Sequence, residues 1–135
     1  METQSSRILV AEDNKIFAKA LCFNLEHFGY STTVAFDGSE ALRLAQQDQF
    51  DLVITDYQMP KILGMELCRR LRQDDRYAHT PMILMSAFED RKVVELFDDL
   101  ELLEAIFVKP FSMGELVSRI QECLTDCPDT TVSSP

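Results

Sequence analysis

Leu52-Val53-Ile54-Thr55-Asp56-Tyr57-Gln58-Met59-Pro60 is an apolar run that stops at a carboxylate and then turns at a proline. A short, unbroken run of this kind reads as a strand covered on both faces. The same shape recurs on either side of it. Ile8-Leu9-Val10-Ala11 ends at Glu12-Asp13, Met82-Ile83-Leu84-Met85 ends at Ser86-Ala87, and Ala105-Ile106-Phe107-Val108 ends at Lys109-Pro110. Thr32–Phe36 reads as one more strand.

Helical spacing fills the intervals. Residues 15–28 carry Phe17, Leu21, Leu25 and Phe28, with Asp13 or Asn14 as cap and Gly29 placed to end the helix. Residues 39–47 show Ala41, Leu42 and Ala45 on one face, and residues 64–73 show Leu67, Cys68 and Leu71. A fourth helix is expected over 90–99, through Val93, Val94 and Phe97. Ser112-Met113-Gly114-Glu115 is a capping box opening a last helix with Met113, Leu116, Val117, Ile120 and Leu124 on one stripe. Five strands alternating with five helices predict an α/β, doubly wound, five-stranded parallel sheet. Ligands of such sheets sit beyond the carboxyl ends of the strands.

The chain has 135 residues, enough for one domain. Thirteen basic against 23 acidic residues give a net charge of -10, which argues against direct binding of nucleic acid or of a membrane surface. The sequence holds no apolar run near the length of a membrane span, and residues 1–7 lack a signal-peptide pattern, so a cytoplasmic setting is expected. Cys22 and Cys68 read as core residues. Cys123 and Cys127 are spaced like a ligand pair, but neither His27 nor His79 lies near a cysteine, and zinc is not expected.

Chemistry gathers at the strand ends. Glu12, Asp13, Asp56, Ser86 and Lys109 bring three carboxylates, a hydroxyl and an ammonium to one rim. Two like charges about 4 Å apart cost about 4 kcal/mol at an effective dielectric near ~20. A hard divalent cation would relieve that repulsion, and Mg²⁺ takes one or two carboxylates plus phosphate oxygens. Such a set suits phosphoryl transfer onto a carboxylate. Gly29, Gly38, Gly64 and Gly114 form no glycine-rich phosphate loop, and no histidine stands at a strand end to serve a nucleophilic serine. Taken singly, each residue has a plainer reading. Glu12-Asp13 can be a helix N-terminus, Asp56 a loop opener, Ser86 a turn hydroxyl and Lys109 a surface charge.

Four stretches in order remove that plainness. Leu9-Val10-Ala11-Glu12-Asp13-Asn14, then Val53–Pro60 with Gly64, then Ser86-Ala87, then Val108-Lys109-Pro110-Phe111 resemble the receiver domain of two-component response regulators, over residues 7–124. The resemblance implies a flavodoxin-like (βα)5 fold with strand order 2-1-3-4-5. It implies Asp56 as phosphoacceptor, and Mg²⁺ (Mn²⁺ as an alternative) held by Asp13, Asp56 and the backbone carbonyl of Gln58, with Glu12 acting through water. Ser86 and Lys109 would meet the phosphoryl group, Ala87 would leave space for the donor, and the Lys109–Pro110 peptide would be cis. Gln58 and Phe88 would tune the lifetime of the phosphorylated state. The donor would be a histidine kinase or a histidine phosphotransfer protein. An unidentified output partner would bind the face made by the fourth helix, fifth strand and fifth helix.

Three positions depart from the pattern. Glu12 stands where an aspartate is usual. Ile106 stands where many receivers carry the aromatic that moves with the hydroxyl residue, while the neighbouring Phe107 should face the other way. The stretch 97–104, Phe-Asp-Asp-Leu-Glu-Leu-Leu-Glu, lacks the usual glycine, so the fourth helix is expected to run long or bend.

The expectation is a phosphorylation-controlled signalling domain at 7–124, with a disordered N-terminus at 1–6 and a disordered tail or linker at 125–135. It would be either a stand-alone receiver or one cut from a longer protein. No turnover of an external substrate is expected. A phosphatase using an aspartyl-phosphate would carry a second acid where Gln58 stands. A non-phosphorylated adaptor of the same fold is the other rival.

Overall fold

The computed structural model describes residues 5–125. Its strands are β1 (Arg7–Ala11), β2 (Ser31–Ala35), β3 (Leu52–Asp56), β4 (Met82–Ser86) and β5 (Ala105–Val108). Its helices are α1 (Lys15–His27), α2 (Gly38–Gln47), α3 (Gly64–Arg72), α4 (Arg91–Glu95) and α5 (Met113–Thr125). The sheet order is β2-β1-β3-β4-β5, every pair parallel. The doubly wound parallel sheet is the one the alternating strands and helices predict, and its order is the one the resemblance implies.

Strand residues alternate between two cores, because successive side chains leave a strand on opposite faces. Leu9, Ala11 and Val53 pack with Ala41 and Ala45 of α2 and Leu67, Cys68 and Leu71 of α3. Ile8, Val10, Leu52, Ile54, Ile83 and Met85 pack with Leu21, Cys22 and Leu25 of α1 and Leu116, Val117 and Ile120 of α5. Burying both faces explains why these strands are continuous apolar runs. Cys22 and Cys68 are buried free thiols.

The helix starts show which side chains cap. Asn14 Oδ1 accepts from the Phe17 amide at 3.0 Å, so Asn14 is the α1 cap. Asp37 accepts from Glu40 at 2.8 Å, and Glu40 in turn accepts from the Phe36 amide at 2.8 Å. Ser112 Oγ accepts from the Glu115 amide at 3.2 Å. Gly29, at φ 95°, takes the left-handed conformation that lets the chain leave α1 for β2.

The helix expected over 90–99 is corrected by the structure. A 3-10 turn over Phe88–Asp90 precedes α4, which ends at Glu95, and another 3-10 turn follows at Leu100–Leu102. The amides of Leu96 and Phe97 reach only three residues back, to Val93 and Val94, which tightens and closes the helix. Asp98 and Asp99 are poor helix formers, and Asp99 has a stronger partner elsewhere. Arg69 of α3 grips it with two hydrogen bonds, of 2.6 and 3.1 Å. Arg72 donates to the carbonyls of Tyr77 at 2.7 Å and Leu102 at 2.6 Å. The connection without glycine is therefore pinned to α3 by two arginines.

No helix among the described residues is long and apolar enough to cross a membrane. The expectations for residues 1–4 and 126–135, and for Cys127, fall outside the described residues.

Candidate functional site

The ends of β1, β3, β4 and β5 form one rim. Glu12 follows β1 directly and is 1% exposed, its backbone N–H donating to the Ala35 carbonyl at 2.9 Å. Asp13 stands beside it, exposed, and Asn14 rather than Asp13 caps α1. Asp56 closes β3 and is 8% exposed. One carboxylate oxygen from each of Glu12, Asp13 and Asp56 lies within 4.8 Å of the others.

Lys109 binds this group together. Its ammonium donates to Glu12 Oε1 at 2.9 Å and pairs with Asp56 Oδ1 at 3.2 Å. Glu12 Oε2 accepts from the Asn14 amide at 3.0 Å. Both oxygens of the glutamate are thus engaged, and its longer arm reaches the lysine. The Lys109 backbone N–H donates to the Ser86 carbonyl at 2.8 Å, which ties the end of β5 to β4. The Lys109–Pro110 peptide is cis.

Burial pushes the Asp56 carboxyl up to about 6; the Glu12 charge adds to the rise, Lys109 opposes it, and Asp13 adds a little. Burial disfavours the Lys109 ammonium, but its hydrogen bond to Glu12 and the Asp56 charge outweigh that and leave its pKa raised. The site is a carboxylate cluster, buried at Glu12 and Asp56 and open to solvent at Asp13, that Lys109 bridges.

Ser86 is fully buried, and its hydroxyl donates to the Ala87 carbonyl at 2.9 Å. Ala87 is half-buried and Gln58 exposed. Phe88 is 57% exposed, with the Arg91 guanidinium 3.8 Å from its ring centroid. Ile106 packs with Tyr57, Leu84 and Val94 on the α4 side, whereas Phe107 packs on the α1–α5 side, so the two lie on opposite faces of β5.

Sequence reading missed two sets of residues. Phe17, read only as a helix-face residue, places its ring 4.4 Å below the Lys109 ammonium. Arg69 and Arg72 were unassigned, and no local pattern links them to residues thirty positions away.

Comparison with known proteins gives a consistent picture. A family model described as the response regulator receiver domain matches residues 8–121. Response regulator ArlR of Staphylococcus saprophyticus is 35% identical over 124 residues, 88% of this chain and 52% of that protein. The DNA-binding dual master transcriptional regulator RpaA of Synechocystis is 33% identical, over 87% of this chain and 48% of its own length. The chain spans about half the length of the curated relatives it matches. Among solved structures, the receiver domain of sensor histidine kinase PA1611 from Pseudomonas aeruginosa superposes with a TM-score of 0.79 at 25% identity, covering 90% of this chain and 99% of that one. That structure has a magnesium ion coordinated in its active-site cleft.

Proposed function

The chain belongs to the response regulator receiver domain family, and on that premise we propose that it is a phosphorylation-controlled signalling domain with Asp56 as phosphoacceptor. The observation that carries the reading is the pairing of Asp56 with Lys109 at 3.2 Å inside a cluster of three carboxylates. A carboxylate nucleophile, compensating positive charge and a nearby hydroxyl are what transfer to an aspartate requires.

The donor is a phosphohistidine on a histidine kinase or a histidine phosphotransfer protein. An Asp56 oxygen attacks phosphorus while the bond from phosphorus to the imidazole nitrogen breaks. The electron pair leaves with the imidazole, which takes a proton from water, and Asp56 becomes an acyl phosphate. Lys109, already bridging Glu12 and Asp56, supplies positive charge to the arriving oxygens. The Ser86 hydroxyl exchanges the Ala87 carbonyl for a phosphoryl oxygen, and the small Ala87 side chain leaves room for the donor.

The donor set fits a hard divalent cation, since three carboxylate oxygens lie within 4.8 Å of one another. Asp13, Asp56 and the Gln58 carbonyl would hold Mg²⁺, or Mn²⁺, with Glu12 behind them. When bound, the ion supplies neutralisation of the phosphoryl charge. The Gln58 amide is no general acid or base, so turnover of an external substrate is not part of this function.

The phosphoryl group brings about −1.5 to −2 charges and strong acceptor oxygens. Movement of Ser86 and Lys109 then shifts the α4–β5–α5 face toward or away from an output partner. Intact-mass measurement after incubation with Mg²⁺ and acetyl phosphate tests this. A single phosphoryl adduct that is lost in Asp56→Asn supports the receiver. Fast consumption of donor without an adduct indicates a phosphatase, and neither result indicates an adaptor.

A further inference from the structure

We propose that Phe17 is a positioning residue for phosphoryl transfer, its ring face seating the Lys109 ammonium between Glu12 and Asp56. The proposal rests on the reading of Asp56 as phosphoacceptor.

An ammonium carries three N–H donors. Carboxylates engage it on two sides, Glu12 Oε1 at 2.9 Å and Asp56 Oδ1 at 3.2 Å. The Phe17 ring lies on it as well, with its centroid 4.4 Å from Nζ. An aromatic face is electrostatically negative, so it attracts the cation. It offers no point acceptor that could draw the lysine away from Asp56. An aliphatic side chain would fill the space without attraction, and a carboxylate would compete for the charge.

The ring is braced. Phe111 meets Phe17 edge-on at 90°, with centroids 6.1 Å apart, and Phe107 meets Phe111 at 5.4 Å. The three rings form a file from the ammonium into the seam between α1 and α5, against the core of Leu21, Val117 and Ile120. Phe17 comes from the first turn of α1, four residues after Asp13. Phe111 comes from the segment that delivers Lys109. The two segments that supply charged groups to the site thus also supply the seat and its brace. With the seat lost, the ammonium swings between the carboxylates and water and less often meets the incoming phosphoryl oxygens.

The test is the initial rate of phosphoryl adduct formation from acetyl phosphate at saturating Mg²⁺. Phe17→Leu, Phe17→Tyr, Lys109→Ala and the Phe17→Leu/Lys109→Ala pair are compared with the unmodified chain. Phe17→Leu is expected to slow the reaction about fivefold. Phe17→Tyr, which keeps the ring, should return the rate to within about twofold. In the Lys109→Ala background, Phe17→Leu should add nothing, because the ring acts through the lysine. A loss of packing would instead slow both backgrounds alike and would not be rescued selectively by tyrosine. Either of those results, or an unchanged rate in Phe17→Leu, overturns the positioning role. An unmodified chain that forms no adduct overturns the phosphoacceptor reading itself.

Discussion

A side chain at Gly64 would drive its first carbon into the backbone carbonyl oxygen of Asp56. The loop after β3 therefore returns backbone against backbone, with the Gly64 amide donating to the Tyr57 carbonyl at 2.8 Å. The obstructing atom belongs to the main chain of Asp56, so it cannot swing aside as a side chain would. Gly64→Ala should cost about 1–3 kcal/mol in urea unfolding and slow formation of the Asp56 adduct. A variant as stable as the parent would show that the loop has room.

Asp56 sets a pH dependence of known sign. Burial, reinforced by Glu12 and opposed by Lys109, raises its carboxyl from an ordinary 3.8 to about 6. The native state then holds its proton more tightly than the unfolded chain. Its favourable contribution is complete below about pH 4 and is lost as the pH climbs through about 6. In chelator, Asp56→Asn should be the more stable protein at pH 8, by at most about 3 kcal/mol. The advantage should shrink toward pH 4. A difference that does not change with pH in urea titrations would contradict this.

Divalent binding should reverse that balance. Calorimetry should show one Mg²⁺ or Mn²⁺ site that Asp13→Ala weakens about tenfold or more. Saturating Mg²⁺ should raise the melting temperature of the parent chain more than that of Asp13→Ala, since a ligand stabilises only the state that binds it. Equal affinity in the two proteins would place the site elsewhere.

The lifetime of the phosphorylated state should depend on Phe88. The ring lies two residues past Ser86 and is held under Arg91 at 3.8 Å. On the proposed reading, a bulky apolar group there should hinder in-line attack by water on the Asp56 adduct. Phe88→Ala should lose its phosphoryl group several-fold faster, and Arg91→Ala should shift the rate in the same direction. Intact mass followed over time checks both, and an unchanged decay in Phe88→Ala would remove Phe88 from the mechanism.

The switch should run without a swinging aromatic. Ile106 faces Leu84 and Val94, is β-branched and offers no ring, while Phe107 lies on the opposite face. Hydrogen exchange with beryllofluoride as phosphoryl mimic should alter protection at 86–92 and 98–104, where Arg69 holds Asp99 at 2.6 Å. Changes confined to 56–62 would mean that the signal stops at the site.

How far the sequence reaches follows from range. The strands were legible because both faces of the sheet are covered, which leaves unbroken apolar runs such as Ile8–Ala11 and Met82–Met85. Connectivity alone then placed Asp13, Asp56, Ser86 and Lys109 at strand ends on one rim. Tertiary structure decided the rest. It ended α4 at Glu95 by giving Asp99 to Arg69, thirty residues earlier. It joined Glu12 to Lys109 across 97 positions, with Phe17 beneath the lysine. Periodicity and caps are local interactions and leave a local trace. A contact between distant segments depends on where packing puts them, and no spacing in the chain records it.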